Sequence, residues 1–268
     1  MNISQKVKQT LSRIKINKKD KVLVALSGGK DSTVVAYVLK KFGYNNLEAI
    51  HIDLKMGDYS EKCLNATKQL CKQLGIKLYV YDIRKEMGNS MCNIRLNVQS
   101  KKSLKNCAIC GVIKKWILNK EARRLKADYI ATGHHLDDET QTFMLNILKG
   151  SPELSNNTGL ITRNLPDKKF IPRIKPLFFI LEKDIKEYAI KNKLPVVYEK
   201  CPCAIDSYRI QIREFMRSLS DKQKENLMKN FMKIQGKIKK QDKTMNYCEI
   251  CGEPARGKIC KMCELVKK

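Results

Sequence analysis

No apolar run in this chain is long enough to span a bilayer, and no signal peptide opens it. Both absences lead to the expectation of a soluble, cytoplasmic protein with no membrane partner. Acid is also scarce. Asp and Glu total 27 against 54 Lys and Arg, a formal charge of +27 in 268 residues. Such an imbalance is self-repulsive and calls for a polyanion. Nucleic acid fits better than a membrane surface, because no segment combines a large apolar face with a basic one. A compositional lysine bias is the bland alternative, since Asn and Ile are abundant as well. No internal repeat is visible beyond two CxxC units near the end. The length accommodates one sizeable domain with an appendage, or two modest domains.

Cysteine is plentiful. Eleven of them in a cytoplasmic chain argue for metal or catalysis rather than disulfides. Cys248-x2-Cys251-x8-Cys260-x2-Cys263 supplies four thiolates from two facing knuckles, which suits a structural Zn2+. A catalytic zinc is disfavoured because four cysteines close the coordination sphere, and a fragment this small needs its metal to fold. Cys63, Cys71 and Cys92 stand alone and read best as small buried hydrophobes.

Alternation of apolar runs with helical spacing gives the fold class: an α/β doubly wound parallel sheet with ligands at the carboxyl ends of its strands. Strands are expected at 22–26, 46–52, 77–81 and 128–131, and helices at 2–16, 33–41, 59–74, 112–126, 136–149 and 179–192. Residues 84–106 and 151–175 read as loop, and residues 205–218 and 221–240 as basic helices. The expected organisation is an amino-terminal helix (1–20), an ATP-binding α/β domain (21–200), a basic helical segment (201–245) and a zinc ribbon (246–268).

One hexapeptide carries chemistry by itself. Ser27-Gly28-Gly29-Lys30-Asp31-Ser32 follows the first strand and leads into a helix. Backbone N–H groups of such a turn, reinforced by the helix dipole, make an oxyanion cradle, and the two glycines let phosphate approach. Lys30 adds mobile positive charge; Ser27 and Ser32 add hydroxyl donors. The spacing is not that of a Walker loop. It resembles the PP-loop SGGxDS of ATP pyrophosphatases, which implies ATP cleaved between its α and β phosphates.

Cys107-Ala-Ile-Cys110-Gly111 is expected just before a helix, where the dipole lowers thiolate pKa. A third thiolate from Cys201 would suit an iron–sulfur cluster with one iron left open, able to carry sulfide. A redox or persulfide-carrying pair and two structural thiols are equal rivals on spacing alone. His134 and His135 read as helix-capping side chains rather than ligands. The acidic run 137–139 reads as favourable charge in a first helical turn. Arg209, Arg213 and Arg217 recur every fourth residue, a phosphate grip or a solvated face with equal weight.

The PP-loop, the internal CxxC, the later cysteine and the terminal quartet together resemble the tRNA 2-thiouridine synthetases, from about Lys21 to Cys263. That resemblance implies ATP phosphates, with Mg2+, on Ser27 to Ser32, and adenosine held by His51, Ile52 and Asp53, beside Gly133. It implies a [4Fe-4S] cluster on Cys107, Cys110 and Cys201, with Lys114 and Asp138 in catalysis. It further implies tRNA as substrate, a homodimer, and sulfur from free sulfide or a ubiquitin-like carrier protein. Two departures stand out. Relatives often carry a further zinc ribbon ahead of the PP-loop, and Cys203 stands where an aromatic is usual, so Cys203 competes with Cys201 as third ligand. A persulfide-using thiolase without a cluster and a non-catalytic zinc-dependent RNA-binding protein are the alternatives.

Overall fold

The computed structural model describes residues 2–162, 167, 169–204, 209–238 and 246–266. Asn2 opens α1 (Ile3–Ile14) with a reciprocal capping box to Gln5, and Val7, Leu11 and Ile14 bury one stripe of it. Then come β1 (Val22–Leu26), α2 (Lys30–Lys41), β2 (Leu47–Asp53), α3 (Asp58–Leu74) and β3 (Lys77–Asp82). These are followed by α4 (Ile83–Met87), α5 (Met91–Gln99), α6 (Asn106–Arg124), β4 (Tyr129–Ala131) and α7 (Leu136–Leu148). A 3-10 turn (Pro152–Asn157) leads to β5 (Ile161–Thr162), β6 (Arg173–Ile174) and α8 (Glu182–Lys191). Last are α9 (Arg209–Ser218), α10 (Asp221–Gln235), β7 (Asn246–Tyr247), β8 (Pro254–Ala255) and α11 (Lys261–Val266).

The sheet order is β3-β2-β1-β4-β6-β5, parallel throughout except for β5, which runs antiparallel to β6. β1 is paired at both edges by β2 and β4, and helices cover both its faces, so its run of Val, Leu and Ala is apolar without alternation. Apolar side chains of α1, α2 and α8 pack on one face of the sheet, and those of α6 on the other. Strand order reverses between β1 and β4, the switch point where α/β sheets bind ligands.

Several expectations are corrected. Residues 84–106 are not simply loop. Ser90 caps α5, which buries Met91, Ile94 and Val98 at helical spacing. Helix α6 begins at Asn106 rather than Val112, so Cys107 and Cys110 lie inside its first turns. Gly111 is accommodated within the helix. Residues 151–175 add the antiparallel β5–β6 pair to the sheet edge. The first residues, 205–208, of the helix expected at 205–218, and the last, 239–240, of that expected at 221–240, lie outside the described residues, as do residues 241–245 of the basic segment.

Candidate functional site at the switch point

The chain leaves β1 at Leu26 and turns through Ser27 and Gly28 into α2. Gly29 is the N-cap, and no side chain caps it, which leaves first-turn N–H groups for an anion. The two serines brace the turn: Ser27 N–H donates to Ser32 Oγ at 3.1 Å, and Ser32 Oγ donates to Gly29 O at 3.1 Å. Gly28 has φ +82°, and a Cβ there would stand 2.7 Å from the Cys63 backbone on α3. Gly133, just past β4, is equally confined, with a Cβ 2.7 Å from the Ser32 nitrogen. Two neighbouring elements therefore press on the loop at positions only glycine fills.

Charge is concentrated around Lys30. Its Nζ lies 2.9 Å from Glu182 Oε1 and 3.1 Å from Asp31. Burial works against its charge, but Asp31 and Glu182 hold its pKa above the ordinary lysine value. Burial pushes the Asp31 carboxyl up, against the pull of His135 and Lys30. Glu182 also suffers from burial, yet Lys30 brings it below the usual carboxylate range. His135 occupies the N-cap position of α7 but makes no capping hydrogen bond, which corrects the capping expectation. It is a buried hub instead. Its Nε2 lies 3.3 Å from Asp138 and 3.9 Å from Asp31, and its Nδ1 lies 3.7 Å from Asp137. His134 Nδ1 meets Thr132 Oγ1 at 2.9 Å. The fold thus brings Asp138 to the PP-loop through His135 and Asp31. Glu182 carried no motif in the sequence and was missed.

At the end of β2, His51 is buried with Nδ1 3.0 Å from Leu26 O. A carbonyl only accepts, so Nδ1 carries the proton in this contact. Burial lowers the His51 pKa, and Lys114 adds to that against the Leu26 bond and Asp53. Ile52 is half-buried beside it. Asp53 is committed to shaping its own loop. It accepts the N–H of Lys55, a residue with φ 53°, and pairs with Lys55 Nζ at 2.8 Å.

The thiol half adjoins this. Cys107 and Cys110 occupy the first turns of α6, with Lys114 one turn further. Val197 N–H donates to Gly28 O at 2.9 Å, so the segment that delivers Cys201 is bonded to the PP-loop itself. Four residues separate that bond from Cys201, at most about 14 Å of chain. On α3, Lys62 Nζ reaches Glu199 at 2.7 Å. The Cys63 thiol, hydrogen-bonded with Tyr59, feels Cys201 and Lys114, and burial keeps its pKa high. Asn106 Nδ2 donates to Cys203 O at 3.3 Å, fastening the 201–204 turn to the start of α6. Cys203 Sγ also lies 3.8 Å from Met56 Sδ and contacts Cys92. The cysteines form no disulfide. Three reduced thiols, on segments that the Asn106 and Val197 hydrogen bonds tie to the start of α6 and to the PP-loop, have the donor chemistry an iron–sulfur cluster needs.

The terminal quartet is tighter. The sulfurs of Cys248, Cys251, Cys260 and Cys263 all lie within 4.8 Å of one another, the one such group among the described residues. Burial opposes ionisation of Cys248, but backbone N–H groups of Cys260, Cys251 and Ile250 bring it down to about 6. Cys260 N–H donates to Cys248 Sγ at 3.2 Å, whereas burial pushes the Cys260 and Cys263 thiols up; four cysteine sulfurs at this spacing are the donor set of a tetrahedral ion. This ribbon is fused to α6: buried Glu253 takes bonds from Arg123 and, at 3.2 Å, from Asn119. Lys102 Nζ donates to Glu264 O of the ribbon at 2.8 Å.

Comparison with known proteins agrees with this arrangement. The PP-loop domain family matches residues 1–219. The tRNA-5-methyluridine(54) 2-sulfurtransferase of Pyrococcus horikoshii is 36% identical, over 97% of this chain and 83% of the relative. Its namesake from Thermotoga maritima is 28% identical over 99% of this chain and 87% of that protein. Among solved structures, the U34-tRNA thiolase NcsA from Methanococcus maripaludis with its [4Fe-4S] cluster superposes with a TM-score of 0.83. It is 28% identical, and the match covers 99% of this chain and 86% of that one. The glycine-confined PP-loop, the thiol segments tied to it and these likenesses agree: the chain belongs to the PP-loop family of tRNA 2-sulfurtransferases.

Proposed function

We propose that this protein replaces the 2-oxygen of a tRNA uridine with sulfur, using ATP. The observation that carries this reading is the 2.9 Å bond from Val197 to Gly28, which joins the phosphate cradle to the segment bearing Cys201. In the first step uridine O2 attacks the α phosphorus, the bond to the β-phosphate oxygen breaks, and pyrophosphate leaves as N3 loses its proton. In the second, hydrosulfide adds to C2, its proton passes to N3, and the C2–O bond breaks to expel AMP.

The chain's residues divide this work. Backbone N–H groups from Gly28 to Ser32 and the charge of Lys30 hold the phosphates. Such fixed donors stabilise charge building in the transition state. His51 and Ile52 at the end of β2, with Gly133 opposite, would bound the adenosine site. Asp138, 3.3 Å from His135, would orient a phosphate-bound Mg2+. Lys114, between His51 and Cys63, would neutralise the oxygen as it leaves. Cys107, Cys110 and Cys201 would hold a [4Fe-4S] cluster, with Cys201 preferred because Cys203 already contacts Met56 and Cys92. When bound, that cluster supplies an iron without a protein ligand as a place for sulfur. Zn2+ would fill the terminal quartet. A homodimer, cytoplasmic location, and sulfide or a carrier protein as sulfur source complete the reading.

The test is ATP-dependent pyrophosphate release with tRNA under anaerobic conditions, using brown, iron-loaded protein. Release that needs tRNA, followed by 2-thiouridine in digested nucleosides, supports the reading. No release with any tRNA would make the chain an RNA-binding module. Full thiolation by iron-free protein would move sulfur delivery to a cysteine persulfide.

A further inference from the structure

A cleft of about 290 Å³ lies against Lys30, and Ser27, Gly28 and Gly29 of the glycine turn are not among its lining residues. Its walls come from α7, α8, α9 and α10, so residues far apart in sequence build it. Six cations line it, from Lys30 and Lys183 to Arg213, Arg217 and Lys224, against three carboxylates, Asp137, Glu182 and Asp221. Each carboxylate already has a partner. Glu182 holds Lys30, Asp137 meets Lys224 at 3.5 Å, and Asp221 pairs with Lys183. Lys186, Arg213 and Arg217 are left with no carboxylate at ion-pair distance among the described residues. Arg213 and Arg217 lie one turn apart on α9 and face the same space. Of the arginine row noted in the sequence, these two therefore share one small concavity. The Arg209 side chain lies outside the described set.

We propose that this cleft binds inorganic pyrophosphate as it leaves the PP-loop, a product site separate from the nucleotide cradle. The inference rests on the adenylation reading, which makes pyrophosphate the leaving group. Its volume, at the lower end for small-molecule pockets, suits a compact polyphosphate rather than an RNA helix. Lys30 is shared by both sites. While held by Glu182 and Asp31 it can swing with a departing phosphate and exchange one anion for another. Arginine pairs bind phosphate oxygens in a fixed fork, which favours a doubly bridging ligand such as pyrophosphate.

The experiment measures binding of inorganic pyrophosphate, of a non-hydrolysable ATP analogue and of tRNA to the whole protein by calorimetry. It compares the parent with Arg213→Gln/Arg217→Gln and with a charge-matched control, Lys68→Gln/Lys72→Gln, on exposed positions of α3. Both arginines are exposed, so the double variant should fold, and its unfolding temperature is checked first. The expected result is a roughly tenfold weaker pyrophosphate affinity with analogue and tRNA binding within about twofold of the parent. Unchanged pyrophosphate affinity overturns the proposal. So does an equal loss for the ATP analogue, which would merge the cleft with the PP-loop, or a loss confined to tRNA, which would make it an RNA-docking surface. Because binding is read without turnover, failure here is distinguishable from absence of tRNA-dependent pyrophosphate release.

Discussion

At the residue scale, the phosphate cradle depends on two contacts that the hexapeptide alone does not display. Gly133 lies about a hundred residues from the PP-loop, yet a methyl group there would strike the Ser32 nitrogen at 2.7 Å. Gly133→Ala should push the start of α2 away, costing ~1–3 kcal/mol of stability and most of the ATP affinity. Thermal unfolding and nucleotide titration would check both; full ATP affinity in a folded variant would show that the loop yields. His51 gives a pH prediction. Burial holds its pKa below the ordinary value near 6.5, so on acidification the unfolded chain takes up a proton first. Stability should therefore fall as pH drops below about 6.5, by at most about 1.4 kcal/mol per pH unit, until the folded-state pKa is passed. His51→Asn retains a donor toward Leu26 O and should flatten that slope in denaturant titrations between pH 5 and about 6.5. An unchanged slope would assign it to another group.

At the element scale, what was legible depended on whether a residue's role is local. The Val-rich run of β1 and the glycine turn declare themselves because strand, loop and helix start are contiguous. The four ribbon cysteines do so because metal spacing is local as well. Helix α5 was hidden in a basic stretch since only Met91, Ile94 and Val98 carry its apolar stripe. The Cys107–Cys110 pair was placed before its helix because the expected helix began at Val112, whereas α6 starts at Asn106. Glu182 could not be found without the fold, since its partner Lys30 comes from another element, and the same is true of the His135 contact with Asp31, though Asp137 and Asp138 are His135's own chain neighbours. The same holds for the fusion of the ribbon to α6 through Glu253. Arg123→Ala would strip that buried carboxylate of its charge partner while Asn119 stays. The expected cost is about 2 kcal/mol, below that of a fully buried pair because the guanidinium is partly exposed. Limited proteolysis should then release the 246–268 ribbon sooner, and chelating its metal should have the same effect in the parent. Because α6 also starts with Cys107 and Cys110, iron retention should fall together with ribbon protection. A loosened ribbon with undiminished iron content would separate the two.

At the scale of the whole molecule, the surplus charge needs a partner larger than a nucleotide. Even if every one of the 27 acidic groups were paired one-to-one, 27 cations would remain, far more than a triphosphate and a pyrophosphate can answer. Their attraction for a polyanion acts through counterion release, which adds roughly 0.7 to 0.9 to the salt slope for each phosphate contacted. A tRNA that engages five or more phosphates should therefore show log affinity falling with log salt at a slope of at least about 3.5. The ATP analogue, held mainly by backbone N–H groups and Lys30, should show a much shallower dependence, so raising salt should weaken tRNA binding first. Filter binding or anisotropy across a salt series, with the nucleotide titrated in parallel, measures both slopes on one preparation. Equal shallow slopes would mean that the basic surface does not meet RNA, and the +27 would then be a lysine-rich composition without a nucleic-acid role.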